Sequence, residues 1–395
     1  MPAADQTESS VCRADVTNQT HSHVVACWRS THKDCFPRLM AQSNAFGFSQ
    51  TTLTQPTRTA LCHSPHYTRP VELISCPTRV LGKAAENIMT IGAGIGIANF
   101  TFEDGNGFWE WVSLCDNGGV DSIWQSDRII EKTPNLETMS VMAALAGGSK
   151  RLKFGMNVAS MALRDPVLMA KACATIDVLS NGRLLPAFGV GSAFSRDFIA
   201  TGRDTKGRGK RTAEGLQIMA RLWREDSVNF EGEYYRLEDA TIAPKPVQSP
   251  MPLWVGGSAP AAIERTARWG TGWQAGIETA AEIEPVITAI KTRAAELDRK
   301  IDDDHFGAGF GFRFGSVDDP VVQRHHAVLE KRLGKQPEGY SAVGGVDEMM
   351  ALVEDFHRAG AHKFILRPIA MGAADMVEQT QLMVEQLLPA ISAMN

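Results

Sequence analysis

The chain reads as an α/β protein whose parallel sheet closes into a (β/α)8 TIM barrel, and three observations carry that reading. From Thr90 onward, short apolar runs alternate with amphipathic helical stretches, the order that wraps helices around a parallel sheet. Eight strand–helix repeats can be counted, the number a closed barrel needs. The residues best suited to chemistry fall at the C-terminal ends of the strands: Asp127-Arg128, Asn157-Val158-Ala159, Gly189-Val190-Gly191-Ser192 and Gly256-Gly257-Ser258. Barrel enzymes place their sites at that end. A doubly wound open sheet is the alternative.

Each element follows from local pattern. Thr90–Ala98 is a glycine-rich apolar strand, and Phe108–Asn117 an amphipathic helix stopped by Gly118-Gly119. Asp121–Gln125 is the second strand, Leu136–Ala146 a helix ended by Gly147-Gly148, and Leu152–Val158 the third strand. Val167–Leu179 is helical, with Asn181-Gly182 as its stop signal. Leu184–Val190 is the fourth strand and Thr212–Trp223 a helix. A hairpin over Val228–Arg236, turning at Glu231-Gly232, and a proline-punctuated link (Pro244, Pro246, Pro250, Pro252) precede the fifth strand. After it come strand Gly272–Gly276, helix Ala280–Arg299 and strand Gly307–Arg313. A helical insertion near Asp319–Leu333, helix Val346–Ala359, strand Lys363–Leu366 and a closing helix Ala373–Ala393 complete the domain.

The fifth unit is the most informative. Leu253–Val255 is too short for a helix and is bounded by Pro252 and Gly256, so it reads as a buried strand. Gly256, Gly257 and Ser258 lead into a helix with Pro260 in its first turn and Gly270 at its end. Ser258 is the expected N-cap. A strand end, two residues without side chains and a helix N-terminus together form an anion site, most naturally for phosphate. A plain polar turn is the other reading of the same residues.

Composition narrows the function. The chain has 395 residues, 44% of them hydrophobic, and a formal net charge of −5 with both signs interspersed. That argues against a nucleic-acid partner, and no apolar run is long enough for a membrane helix. One basic loop stands out: Arg203, Lys206, Arg208, Lys210 and Arg211, either a solvated loop or a docking surface for an anionic tail or partner. Cys115 and Cys173 sit in apolar-periodic helices, as reduced buried thiols do, so a cytoplasmic protein is expected. Residues 1–88 differ from the rest: rich in Thr, Ser, His and Cys, without sustained periodicity. They are expected to be a disordered extension or an upstream mis-assigned start, with Met89 as the true start of a barrel domain over 89–395. His32 with Cys35, and Cys62 with His63 and His66, match no paired metal-site spacing, so no metal is expected.

Several segments together resemble the bacterial luciferase family of flavin- and deazaflavin-dependent oxidoreductases. They are Arg164-Asp165-Pro166-Val167, Ala172 to Leu184, Gly189-Val190-Gly191, Phe230 to Tyr235, Pro244 to Pro250, Trp254 to Ser258, and Gly270-Thr271-Gly272-Trp273. The resemblance implies a (β/α)8 barrel with a late insertion, holding FMN or a deazaflavin of the F420 type at the strand C-termini. It places the cofactor phosphate at Gly257, Ser258 and Ala261, with Ala261 lacking the side-chain hydroxyl some relatives have there. It implies a cis peptide at Asn157–Val158 beneath the cofactor ring. Gly189, Gly191 and Ser192 are expected to let the fourth strand approach the cofactor. It also suggests a homodimer built through helices near the first repeats. Trp124, Met161 and Trp273 are expected to wall an apolar substrate pocket.

One departure matters. Many relatives carry an Asp-His pair after the second strand; here the residues are Ser126-Asp127-Arg128, and no histidine lies between His66 and His305. A guanidinium stays protonated, so Arg128 cannot act as a base. It could stabilise negative charge, while Asp127 could accept a proton; alternatively the two pair structurally at the rim. The leading expectation is a monooxygenase using reduced FMN, supplied by a separate flavin reductase, and O2 on a small organic substrate. The alternatives are a deazaflavin-dependent dehydrogenase or reductase, and a flavin-binding protein without catalysis.

Overall fold

The computed structural model describes residues 90–395; the expectations for residues 1–88 and for a start at Met89 lie outside the described residues. The eight barrel strands are, in order, Gly92–Ile97, Ser122–Gln125, Lys153–Met156, a fourth in two pieces (Leu184–Leu185 and Ala187–Gly189), Trp254–Gly256, Gly272–Gln274, a seventh in two pieces (Phe306–Ala308 and Gly311–Phe314), and Lys363–Pro368. Each pairs in parallel with its sequence neighbour, and strand eight pairs with strand one through Gly92↔Lys363 to Ile95↔Leu366. The ring therefore closes. Strand four breaks at Pro186, so its first piece pairs with strand three and its second with strand five, as a residue with no N–H requires.

Helices follow the strands as the pattern implies, with ends shifted by a few residues. Gly105–Asn117 starts three residues early because Asp104 caps it, accepting from the Gly107 N–H. Pro166–Ser180 starts on a proline after Asp165, whose carboxylate accepts from Val167 and Leu168, and ends on left-handed Asn181. The hairpin is present as Val228–Glu231 with Arg236–Ala240. The insertion helix is Pro320–Leu333. Two short strands were not legible: Ala159–Ser160, which pairs with Phe188–Gly189, and Ser341–Gly344, which pairs with Gly311–Phe314 above the rim. Segments of two and four residues carry no periodicity to read.

The barrel interior is filled by Trp124, Trp254, Ile365 and Ala187, with Val158 and Leu185 packed on them. The larger core lies between the sheet and the helices and includes Trp111, Phe154, Phe188, Trp273 and Phe364. Cys115 and Cys173 are buried free thiols, their pKa pushed up by burial. Among the described residues, no helix is long and apolar enough to cross a membrane.

At the N-terminal end of the barrel, Asp121 ties the seam. Its carboxylate accepts from the Lys363 ammonium and the Ser122 hydroxyl and lies 3.5 Å from Lys153. Burial works to raise its pKa, but Lys363 and Lys153 outweigh that and hold it at about 2, against an ordinary 3.8. A depressed carboxylate stabilises the fold above the unfolded-state pKa, and that contribution disappears as pH falls through the folded value. Denaturant unfolding should therefore show roughly 2 kcal/mol lost between about pH 4 and pH 2 in the wild type. Asp121→Asn, which leaves Lys363 buried without its partner, should cost about 3–5 kcal/mol at neutral pH and flatten that acid limb.

Candidate functional site

The C-terminal ends of strands two, three and four and the insertion helix frame an open mouth. One cavity of about 700 Å³ is lined by Ser126, Asp127, Arg128, Asn157, Ser160 and Gly191 among others. An adjoining cavity of about 340 Å³ shares Ser126, Arg128, Asn157 and Arg332 and adds Gly276, His325 and Arg367. Together they have the size range of small-molecule and cofactor sites. A further cavity, of about 480 Å³, is lined by Trp223, Leu253, Thr271 and His305, which flank the strand starts at the opposite end. It lies away from the residues with chemical potential.

Beside the mouth, the turn after strand five leaves polar donors unpaired at a helix start. Gly257 has φ +104°, a left-handed conformation that favours glycine. A Cβ there would meet only Ala262, at 3.6 Å, so the space in front of the turn is open. The Gly257 carbonyl accepts from Trp273 Nε1 at 2.9 Å, and its N–H donates to the Gln274 carbonyl at 3.3 Å. Helix Pro260–Trp269 follows, but its N-cap is Ala259, without a side-chain cap bond. The expectation that Ser258 caps the helix is thus corrected: the residue before a proline is driven to extended geometry, which moves the cap position to Ala259. The Ser258 hydroxyl is instead buried with no partner among the described residues. The N–H groups of Ser258, Ala259 and Ala261 likewise have no protein acceptor there. A buried, unpaired hydroxyl beside free amides at a helix start fits a phosphate oxygen.

A second set of unpaired donors surrounds the start of helix Arg208–Leu222. The side chains of Arg208, Arg211, Thr212, Tyr235 and Arg265 each have a buried polar atom without a partner. Arg265, on the helix after strand five, is buried and comes close to the backbone at Gly209: a Cβ there would be 3.8 Å from its Nη1. Burial pushes its pKa down, with no opposing carboxylate. Among the described residues, Arg203, Arg208, Arg211 and Arg265 form no ion pair, whereas Lys210 of the same loop is bound to Glu233 at 2.7 Å. Composition alone had marked only the loop; Arg265 and Tyr235 join it through packing.

The fate of the other expected residues is mixed. The Asn157–Val158 peptide is cis, and Asn157 lines both mouth cavities. Gly191 and Ser192 also line the mouth. Gly189 does not open the fourth strand to a ligand; a Cβ there would strike Val158 Cγ2 at 2.8 Å, and one at Gly256 would strike Val158 Cγ1 at 2.9 Å. Both glycines make room for the Val158 side chain. Trp124, Met161 and Trp273 are fully buried, so none walls an open pocket. Trp124 plugs the barrel against Trp254, Met161 packs under Gly215, and Trp273 holds the Gly257 turn.

The rim pair is rearranged as well. Asp127 does not face Arg128. Both its oxygens take the guanidinium of Arg164 at 2.6 Å, and one also accepts the Ser160 N–H at 2.8 Å. With its side chain 3% exposed, Asp127 is not a free proton acceptor. Arg128 pairs with Glu131 at 3.1 Å and remains half-exposed at the cavity wall.

The insertion supplies residues that sequence reasoning passed over. His325, Val328, Leu329 and Arg332 line the smaller cavity at the i, i+3, i+4, i+7 spacing of one helical face. That stripe was the available signal. Arg367, from strand eight, completes the wall; burial and nearby Arg332 push its pKa down to about 10.

Asp127→Asn should remove a buried bidentate ion pair and cost about 3–5 kcal/mol in chemical denaturation, with any loss of activity tracking the folded fraction. Gly257→Ala should cost only about 1–3 kcal/mol, from backbone conformation rather than clash, while reducing phosphate-group affinity because the new methyl fills the cradle.

Known proteins share this fold. The luciferase-like monooxygenase profile matches residues 88–377. The F420-dependent glucose-6-phosphate dehydrogenase of Amycolatopsis mediterranei is 30% identical over 204 residues, 49% of this chain and 61% of that protein. The protein of the same description from Kineococcus radiotolerans is 32% identical over 171 residues, 42% of this chain and 50% of its own. The chain thus spans between half and two thirds of these curated relatives. Among solved structures, an F420-dependent secondary alcohol dehydrogenase in complex with an F420–acetone adduct superposes with a TM-score of 0.66 at 18% identity, covering 77% of this chain and all but 1% of the other. The monooxygenase RslO1 of Streptomyces bottropensis gives a TM-score of 0.65 at 19% identity, covering 76% and 99%. At such identities the likeness is one of fold. With a family profile matching from the first barrel strand into the last helical segment, over a closed parallel barrel, the chain belongs to the luciferase-like monooxygenase family.

Proposed function

We propose that the protein is a deazaflavin-dependent oxidoreductase that moves a hydride between a cofactor of the F420 type and a small organic substrate. The observation that carries this reading is the second set of unpaired donors. FMN ends in one phosphate, for which the Ser258 corner suffices. A deazaflavin of the F420 type continues into a longer anionic tail, and Arg208, Arg211, Thr212, Tyr235 and Arg265 offer donors without protein partners for it. Burying a cation with no counter-ion is costly, and an anionic ligand removes that cost. The names of the curated relatives point the same way. The FMN- and O2-dependent monooxygenase, first on sequence grounds, becomes the second reading.

The cofactor would supply the hydride chemistry, and the chain's residues position it. The Ser258 hydroxyl and the N–H groups of Ser258, Ala259 and Ala261 would hold the phosphate, and Gly257, without a side chain, leaves room for it. Asn157 and Val158 lie where the ring would rest, above the Trp124–Trp254 plug that bars it from the interior. Arg128, Arg332 and Arg367 give the mouth a positive field.

Binding decides between the two. Fluorescence titration of the full chain should give at least tenfold tighter binding of F420 than of FMN. Ser258→Ala should weaken both by roughly tenfold, the loss of a hydrogen bond to a charged group. Arg265→Gln should weaken F420 alone. Tighter FMN binding, with an oxygen adduct visible on admitting air to the reduced form, would overturn the deazaflavin reading in favour of the monooxygenase.

A further inference from the structure

The rim after strand two has no free acid or base, and the opposite rim provides one. Three carboxylates and one imidazole line the mouth cavities: Asp127, Glu131, Asp197 and His325. Asp127 is held by Arg164 and Ser160. Glu131 is held by Arg128 and the Lys132 N–H. Asp197 is buried and accepts the Ile130 N–H at 2.7 Å. His325 differs from all three. Its Nε2 is buried with no partner among the described residues, and its ring shares a cavity with Ser126 and Asn157, at the ends of strands two and three. Its neighbour His326 is already engaged, with Nε2 2.9 Å from the Ser341 hydroxyl.

We propose that His325, carried over the barrel mouth by the insertion helix, is the proton-transfer residue of this protein, in place of the histidine that many relatives have after the second strand. The proposal rests on the deazaflavin reading for its chemistry. In oxidation of an alcohol, the carbinol carbon gives its hydrogen with both electrons, as hydride, to the oxidised deazaflavin. The hydroxyl proton passes to the His325 imidazole, and the carbon–oxygen double bond forms. In the reverse direction the imidazolium returns the proton to the carbonyl oxygen.

The surroundings keep the imidazole neutral. Among the described residues, Arg367 from strand eight, Arg128 from the strand-two rim, Arg332 and His326 from its own helix and Tyr340 from the insertion are the charged or titratable groups around the ring, and no carboxylate lines this cavity. The Tyr340 hydroxyl is committed to Glu282. Burial, His326 and Arg367 push the imidazole pKa down to about 4. The neutral form, able to accept a proton, is therefore present at neutral pH and is lost as pH falls through that value.

The test combines a spectroscopic and a kinetic readout on the full chain. Side-chain 15N spectra of histidine-labelled protein, assigned with His325→Asn, are recorded with and without F420. The His325 resonance should move on binding, and His325→Asn should bind F420 within twofold of wild type. With 2-propanol or glucose 6-phosphate as hydride donor, His325→Asn should reduce F420 about 100-fold or more slowly. It should also lose the acid limb of the pH profile and be partly rescued by added imidazole, whereas His326→Asn stays near wild type. A His325 resonance unmoved in the F420 complex, or a wild-type rate and pH profile in His325→Asn, would overturn the proposal. If neither donor reacts, the resonance decides. If FMN binds and F420 does not, the deazaflavin reading fails, and His325 is judged by the same resonance in the FMN complex.

Discussion

A closed ring of eight strands must fill its own interior, and this one does so with indole rings. Trp124 and Trp254, 5.9 Å apart at an interplanar angle of 49°, occupy the axis together with Ile365 and Ala187. That packing sets the floor of the mouth and leaves ligands only the rim. It also governs the glycines beneath: a Cβ at Gly155 would lie 2.6 Å from Trp124 Cζ3, and one at Gly272 would lie 2.6 Å from Trp254 Cε2. Val158 then sits on the plug between Gly189 and Gly256. Glycines that resemble a cofactor-binding signature are thus partly the consequence of interior packing.

The chain has spent its carboxylates on structure and left several cations around the mouth without one. Asp127 locks Arg164 to the strand-three exit and Glu214 gathers three N–H groups of the hairpin turn, while at the strand-start end Asp177 accepts from Val247 and Gln248 in the proline link. Each fastens a connection whose backbone would otherwise lack acceptors. Arg332, Arg367 and Arg265 receive no such partner among the described residues. A site with donors and cations in place but little negative charge is preorganised for an anionic ligand, because its groups are aimed before the ligand arrives.

The hairpin and the insertion do different work around this mouth. The hairpin turn, held by Glu214, brings Tyr234 beneath Arg211, whose guanidinium carbon lies 5.2 Å from the ring centroid, and so steadies the basic loop. The insertion adds strand Ser341–Gly344 to the extended seventh strand and lays its helix across the opening.

Periodicity, turn residues and order along the chain were enough to read the barrel, the hairpin, the insertion and the glycine turn after strand five, since each depends on contacts within a few residues of sequence. The choice of partners was not readable in this way. That Asp127 binds Arg164 rather than Arg128, that Trp124 and Trp273 are plug and prop rather than pocket wall, and that Arg265 joins the basic loop all depend on which helix lies against which strand. His325 enters the mouth for the same reason: nearly 200 residues separate it from Arg128 in sequence, and only the closed ring and the folded-over insertion bring them to one cavity. Local sequence determined the elements and their ends; the packing of distant segments decided which polar groups were consumed by the fold and which were left for a ligand.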